Sequence, residues 1–288
     1  MAPSTTINEP KVWLITGCST GLGRLIAIAA RKRGDLVIAT ARKIETLDDL
    51  KTLGCEALTL DVTSSDATVN DVVATAHAFY GRIDILVNNA GYGTMGFIEE
   101  ASAEDIQANF DTNVFGLLRV TRAVLPYMRD KKSGIIANIG SAGGRAAFPI
   151  IGIYGATKFA IAGLTQSLRQ EVAAFGIKVT VIEPSTFETN GQNNLKMFGN
   201  QIAEYDPVRK AILEGMAGVL APGDAAKAAL VVVEAITQSG RCEGRELPNR
   251  LPLGAGTYEL IQGVLDNAKK ELDAWVDFTK AETFAKDA

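Results

Sequence analysis

The chain has 288 residues, 47% of them hydrophobic and 22% charged, with a net charge of -4. That composition belongs to an ordinary globular protein of about one or two domains, and the acidic balance excludes a dedicated nucleic-acid binder, which would show a basic field. No apolar run approaches the ~20 residues needed to cross a bilayer, the three scattered cysteines form no zinc or disulfide pattern, and a single histidine, His77, excludes histidine-rich metal chemistry.

The start, residues 1–10, has no hydrophobic signal core and reads as a loose tail on a cytoplasmic protein. From there the chain alternates short β-branched runs with longer helical stretches. Strands are predicted at "KVWLIT" (11–16), "DLVIATA" (35–41), "CEALTLD" (55–61), "IDILVNN" (83–89), "GIIANIG" (134–140) and "IKVTVIE" (177–183). Most are apolar throughout, as parallel strands covered on both faces must be. Helices are expected between them at about 22–33, 65–79, 103–129 and 154–175. The alternation predicts an α/β doubly wound parallel sheet, and no linker interrupts it, so residues 11–288 form one expected domain.

After residue 184 the character changes. Residues 185–215 are polar but dotted with large apolar side chains, and read as a mobile lid over the carboxyl ends of the strands, where such sheets bind ligands. A helix at about 222–239, a seventh strand near 245–252 and a terminal helix over about 257–280 complete the expected order.

The first strand ends in "TGCSTGLGR", with Gly17, Gly21 and Gly23 at a strand-to-helix turn. Small residues there let backbone N–H groups approach a pyrophosphate at the positive helix end. The alternative is a glycine-rich turn needed only for packing. Further on, "IYGATKFA" places Tyr154 and Lys158 four residues apart, on one face of a helix.

Together with "DVT" at Asp61–Thr63, "NNAG" at Asn88–Gly91, Asn113 in the long helix, and Ser141 thirteen residues before Tyr154, these motifs resemble the short-chain dehydrogenase/reductase family from about Lys11 to Glu183. The resemblance implies a Rossmann-type fold and hydride transfer between a nicotinamide cofactor and a carbonyl or alcohol. Tyr154 would be the general acid/base, with Lys158 lowering the phenol pKa from its ordinary ~10 and binding the nicotinamide ribose. Ser141 would hold the substrate oxygen, and Asn113 would anchor a water linking Lys158 to solvent. Taken singly, Ser141 reads rather as a turn residue, and Asn113 as one that caps or bonds within its helix; only the full set of motifs favours the functional reading.

The cofactor contacts implied are Gly17, Ser19, Gly21, Leu22 and Gly23 at the phosphates, and Asp61 and Val62 beside adenine. Asn89, Ala90 and Gly91 would line the ribose and nicotinamide side, with Pro184 and Thr189 near the carboxamide. One departure is Ser185, where the family has glycine after the proline. At the end of the second strand, Ala41 stands where an NAD-preferring relative carries aspartate, and Arg42 follows. An arginine can receive a 2′-phosphate, which points to NADPH/NADP+.

A lipophilic carbonyl or alcohol is the expected substrate, because apolar residues dominate the anticipated pocket. They are Tyr92, Met95, Phe97, Phe148, Ile150 and Ile151, joined from the lid by Phe187, Leu195, Met197, Phe198 and Tyr205; Arg145 and Lys196 are the cationic exceptions. A homodimer or homotetramer, paired through the helices at 103–129 and 154–175, is expected on the resemblance alone. Two rival readings are a non-catalytic dinucleotide sensor or scaffold, which would typically have lost the serine, tyrosine or lysine, and an epimerase or dehydratase of the same fold.

Overall fold

The computed structural model describes residues 9–188, 195–217 and 223–280. Seven parallel strands form the central sheet: β1 (Val12–Ile15), β2 (Leu36–Ala41), β3 (Glu56–Thr59), β4 (Ile85–Asn88), β5 (Gly134–Ile139), β6 (Ile177–Pro184) and β7 (Arg250–Leu253). Their spatial order is β7-β6-β5-β4-β1-β2-β3, so the order reverses between β1 and β4. That reversal opens a crevice at the carboxyl ends of the strands, the place where ligands enter doubly wound sheets.

The sheet is buried on both faces because each strand sends alternate residues to opposite cores. From β1, Trp13 and Ile15 join Val37, Ala39 and Val87 under helices α1 (Gly21–Lys32) and α7 (Ala225–Thr237). Val12 and Leu14 instead join Ile38, Leu86 and Ile136 beneath α2 (Asp66–Tyr80) and α4 (Gly116–Lys131). On the same side lie α3 (Ala103–Phe110) and α5 (Gly152–Glu171). Helices α6 (Asp206–Ala217) and α8 (Thr257–Ala274) lie outside this sandwich. His77, at the end of α2, stacks on the Tyr127 ring at 4.2 Å and is a packing residue.

Several expectations are corrected. The seventh strand is confined to Arg250–Leu253 rather than spanning 245–252, because its ladder partners on β6 run only from Val181 to Pro184. The helix expected from 222 begins at Ala225, where the Asp224 carboxylate accepts the Ala226 and Lys227 N–H groups at 2.8 and 3.1 Å and so fixes the start. The helix expected over 103–129 is interrupted by a π-turn at Asp111–Phe115, which brings Asn113 and Val114 inward together.

The segment expected to be a mobile lid is docked where it is described. Leu195–Met197 pairs in parallel with Gly93–Met95, and Lys196 Nζ reaches Asp105 at 2.6 Å. The Glu100 carboxylate, itself buried, accepts from the Phe97 and Ile202 N–H groups, both at 2.9 Å, and from the Arg209 guanidinium at 2.5 and 3.0 Å. The Phe97 and Tyr205 rings stack at 4.2 Å, and the Arg209 guanidinium lies over the Phe97 ring at 5.3 Å. Helix α6 is thereby latched to the loop after β4.

Candidate active site

The turn from β1 into α1 is held open by a clamp from the end of β4. Thr16 Oγ1 accepts the N–H groups of Asn89 and Ala90 at 2.9 and 3.0 Å, and Asn89 Nδ2 donates to the Thr16 and Gly17 carbonyls at 3.0 Å each. This close approach explains two of the three glycines. A Cβ on Gly17 would stand 2.8 Å from Ala90 Cα, and one on Gly23 would stand 2.8 Å from Asn89 Cγ and 2.9 Å from the Gly17 oxygen. Gly21 has a different reason: its φ of +64° lies in the left-handed region, with open space around it. Helix α1 has no acidic residue in its first turn and no side chain capping its N–H groups. A glycine cradle, a bare helix N-terminus and no local negative charge together fit a pyrophosphate.

These residues line a cleft of about 1080 Å³ that runs across the carboxyl ends of the central strands. Ser19, Gly21 and Leu22 are on one wall; Asn89, Ala90 and Gly91 are opposite. Asp61 and Val62 stand at the end of β3, where Asp61 Oδ1 folds back to accept from Thr63 N and Oγ1 at 2.9 and 2.7 Å. Ala41 is buried at the tip of β2, while Arg42 is exposed at the mouth, without an ion pair among the described residues. Pro184 closes the far end. Thr189 lies outside the described residues.

Tyr154 and Lys158 face the same cleft from the first turns of α5. The Lys158 ammonium sits 5.5 Å from the centre of the Tyr154 ring and donates to the Ile139 carbonyl at 2.9 Å. Ser141, at the end of β5, accepts the Gly143 N–H at 3.0 Å, so it is a turn residue as well as a neighbour of the phenol. Gly144 lets this turn lie on α5: a Cβ there would meet the Lys158 carbonyl oxygen at 2.8 Å. Burial is the main influence on both titratable groups. It raises the Tyr154 phenol above its ordinary value, with the hydrogen bond to Ser141 pulling the other way, and it lowers Lys158 to about 8. The expected depression of the phenol by the ammonium is not found: burial comes first, and the one opposing influence is the Ser141 hydroxyl.

Asn113 is buried, and its amide is engaged by protein. Oδ1 accepts the Tyr92 N–H at 3.0 Å, while Nδ2 donates to the Tyr92 carbonyl and to Thr157 Oγ1 at 2.9 and 3.1 Å. Ser185 settles easily into the glycine position. Its N–H continues the sheet to Leu253 O at 2.8 Å, and its hydroxyl turns into the space beside Gly254 that a Cβ would fill. Sequence reasoning missed Thr16, although a hydroxyl at the end of a strand before the glycines was a signal for it. It also missed the buried Glu183, which binds Arg145 and Arg250 at 2.8 Å each and ties the Ser141 turn to β6 and β7; no local signal marks that cluster.

The sequence model of the short chain dehydrogenase family matches residues 11–198. The chain belongs to that family. As a short chain dehydrogenase it is an oxidoreductase, and its fold agrees throughout with a short-chain dehydrogenase from Streptomyces avermitilis: TM-score 0.83 and 40% identity over 94% of this chain and 97% of that one. It is also similar to a 3-ketodihydrosphingosine reductase of Bacteroides thetaiotaomicron, 38% identical over 65% of this chain and 67% of the relative. An actinorhodin polyketide ketoreductase solved with NADPH superposes with a TM-score of 0.72 at 28% identity, covering 86% of this dehydrogenase and 97% of the ketoreductase. No helix among the described residues of this short chain dehydrogenase is long and apolar enough to cross a membrane.

Proposed function

We propose that the protein is an NADP(H)-dependent oxidoreductase that interconverts a lipophilic ketone or aldehyde and its alcohol. The observation that carries this reading is the pairing of Tyr154 and Lys158 on one wall of the cleft whose other end holds the glycine cradle and the exposed Arg42. The cofactor would lie with its pyrophosphate at Gly17–Gly23 and its 2′-phosphate at Arg42, a planar fork suited to that group. When bound it supplies or takes the hydride. Ketone and lipid-ketone reduction in the names of two similar proteins, and NADPH in one of them, support the same assignment.

In the reductive direction Ser141 holds the carbonyl oxygen and Tyr154 gives its phenolic proton to that oxygen as it becomes an alcohol. The raised phenol pKa suits a group that must hold its proton until the moment of transfer. Lys158, at about 8, is largely protonated at neutral pH and stands ready to stabilise the phenolate. Asn113 sets the positions of Tyr92 and Thr157; the acceptor site left on its Oδ1 is where a relay water would bind.

The substrate side is apolar, and both cations near it are neutralised: Arg145 by Glu183 and Lys196 by Asp105. Phe97, Phe198 and Tyr205, however, serve the docking of the lid. Phe198 is buried against Gly96, and the other two stack on one another. Of the apolar residues expected around the substrate, Tyr92, Phe187 and Leu195 line the cleft itself, and Phe148 is exposed. This reading includes a cytoplasmic setting, one catalytic domain and pairing of subunits through α3–α4 and α5.

Tyr154→Phe tests it. Loss of the proton donor should lower kcat by ~100- to 10,000-fold with NADPH affinity unchanged by fluorescence titration. A variant within threefold of wild-type turnover removes Tyr154 from the mechanism.

A further inference from the structure

Helix α8, the 18 residues Thr257–Ala274 after the edge strand β7, buries only its first residue. An isolated helix of this length is marginal in water and depends on burying an apolar face. That face exists and is uncovered: Tyr258 is 66% exposed, Leu265 58%, Leu272 60% and Trp275, just past the end, 63%. With the half-buried Ile261 and with Ala268, these residues recur at alternating intervals of three and four, which is the seam of a two-helix coiled coil.

We propose that this stripe is the docking surface for the same helix of a second copy of the chain, running antiparallel. The seam is self-complementary in that direction. Tyr258 falls opposite Trp275, Ile261 opposite Leu272, and Leu265 opposite Ala268, so every seam residue meets another and a small side chain faces a large one at the centre. The flanking positions agree: Gln262 falls beside Lys269 and Val264 beside Glu271, with no like charges opposed. A two-fold contact of this kind places the same patch on both subunits, and it sends the two catalytic bodies to opposite ends of the helix pair. The exposed parts of Tyr258, Leu265, Leu272, Trp275, Val276 and Phe278 amount to roughly 700 Å² per copy, close to the ~800 Å² per partner of a stable interface. This face is separate from α3–α4 and α5, and the inference does not depend on the reaction.

The test is the size of the full-length protein by sedimentation velocity and light scattering, with Leu265→Glu/Leu272→Glu beside wild type. The variant should have half as many subunits, with circular dichroism and turnover retained, since no residue of the stripe touches the cleft. Trp275→Ala, a milder change, should raise the dissociation constant of the same step at least tenfold. For orientation, mixing Tyr258→Cys with Trp275→Cys should give a disulfide-linked pair, while Tyr258→Cys alone should link no more than wild type. An unchanged subunit number in both stripe variants means that the helix is covered otherwise, by its own subunit or by lipid, and overturns the proposal. Efficient linkage of Tyr258→Cys to itself would mean a parallel pair and overturns the arrangement.

Discussion

Gly23→Ala puts one methyl group into the clamp that shapes the nucleotide turn. The new Cβ would stand 2.8 Å from Asn89 Cγ and 2.9 Å from the Gly17 carbonyl oxygen, so the Asn89 amide must move. Moving it breaks the bonds from Nδ2 to the Thr16 and Gly17 carbonyls. Two such bonds are worth about 1–3 kcal/mol net, while alanine returns up to about 1 kcal/mol of helix propensity. At mid-range the balance is a loss of about 1–1.5 kcal/mol, or roughly 2–6 °C in Tm. Because Asn89 and Ala90 form a wall of the cleft, NADPH affinity should fall at least tenfold, about 1.4 kcal/mol. Thermal denaturation and NADPH fluorescence titration measure the two effects. In an Asn89→Ala background, where the amide is already gone, the same substitution should cost little beyond relaxation of the Gly17 carbonyl. A Gly23→Ala protein as stable as wild type, binding NADPH within twofold, refutes the reasoning; so does an equal cost in both backgrounds.

Wild type should favour NADPH over NADH at least tenfold in kcat/KM, since a hydrogen bond to a charged group contributes ~1.5–3 kcal/mol; Ala41→Asp with Arg42→Ile should reverse the order, and equal use of both cofactors contradicts the assignment. Arg209 holds the Glu100 carboxyl at about 2, well below its ordinary value, so this carboxylate's stabilising effect is complete above about pH 4.5 and is lost as pH falls through 2. Wild type should therefore be more stable than Glu100→Gln to urea at pH 7, with the gap closing below pH 4.5; a gap independent of pH counts against a charged latch. Lys158 shows the opposite sign. Its folded value of about 8 lies below the ordinary lysine value, so burial of the ammonium costs stability below pH 8, about 3 kcal/mol by the size of the shift, and the cost disappears as pH rises towards ~10.4. Lys158→Met should be the more stable protein at pH 6.5 and lose that advantage by pH 10; a gain that does not shrink would point to packing instead.

The central sheet was legible because strands buried on both sides are apolar throughout, and each parallel pair needs a crossover helix between them. All the strands at 11–16, 35–41, 83–89 and 134–140 fall on observed ones, trimmed at their ends. The glycines, the Asn-Asn-Ala-Gly run and the Tyr–Lys pair were legible because backbone approach and helix geometry restrict residue type locally. Contacts between distant segments were not. Glu100 and Arg209 are 109 residues apart, and each alone looks like a surface charge, so the lid read as mobile and α6 went unseen within a polar stretch. Burial was the other blind spot: the spacing of Tyr154 and Lys158 announces their proximity but says nothing of the desolvation that moves both pKa values.

The fit of Ser185 beside Gly254 makes the two positions conditional on one another. A Cβ on residue 254 would run into the serine hydroxyl and would stand 2.9 Å from Phe187 Cζ, and residue 254 also holds a φ of +112°. Serine at 185 therefore fits only beside a glycine 69 residues downstream, whereas Ser185→Gly is tolerated with either residue there. The constraint runs easily in one direction, like a ratchet, and a variant that places a side chain at residue 254 would have to undo Ser185 and also make room beside Phe187.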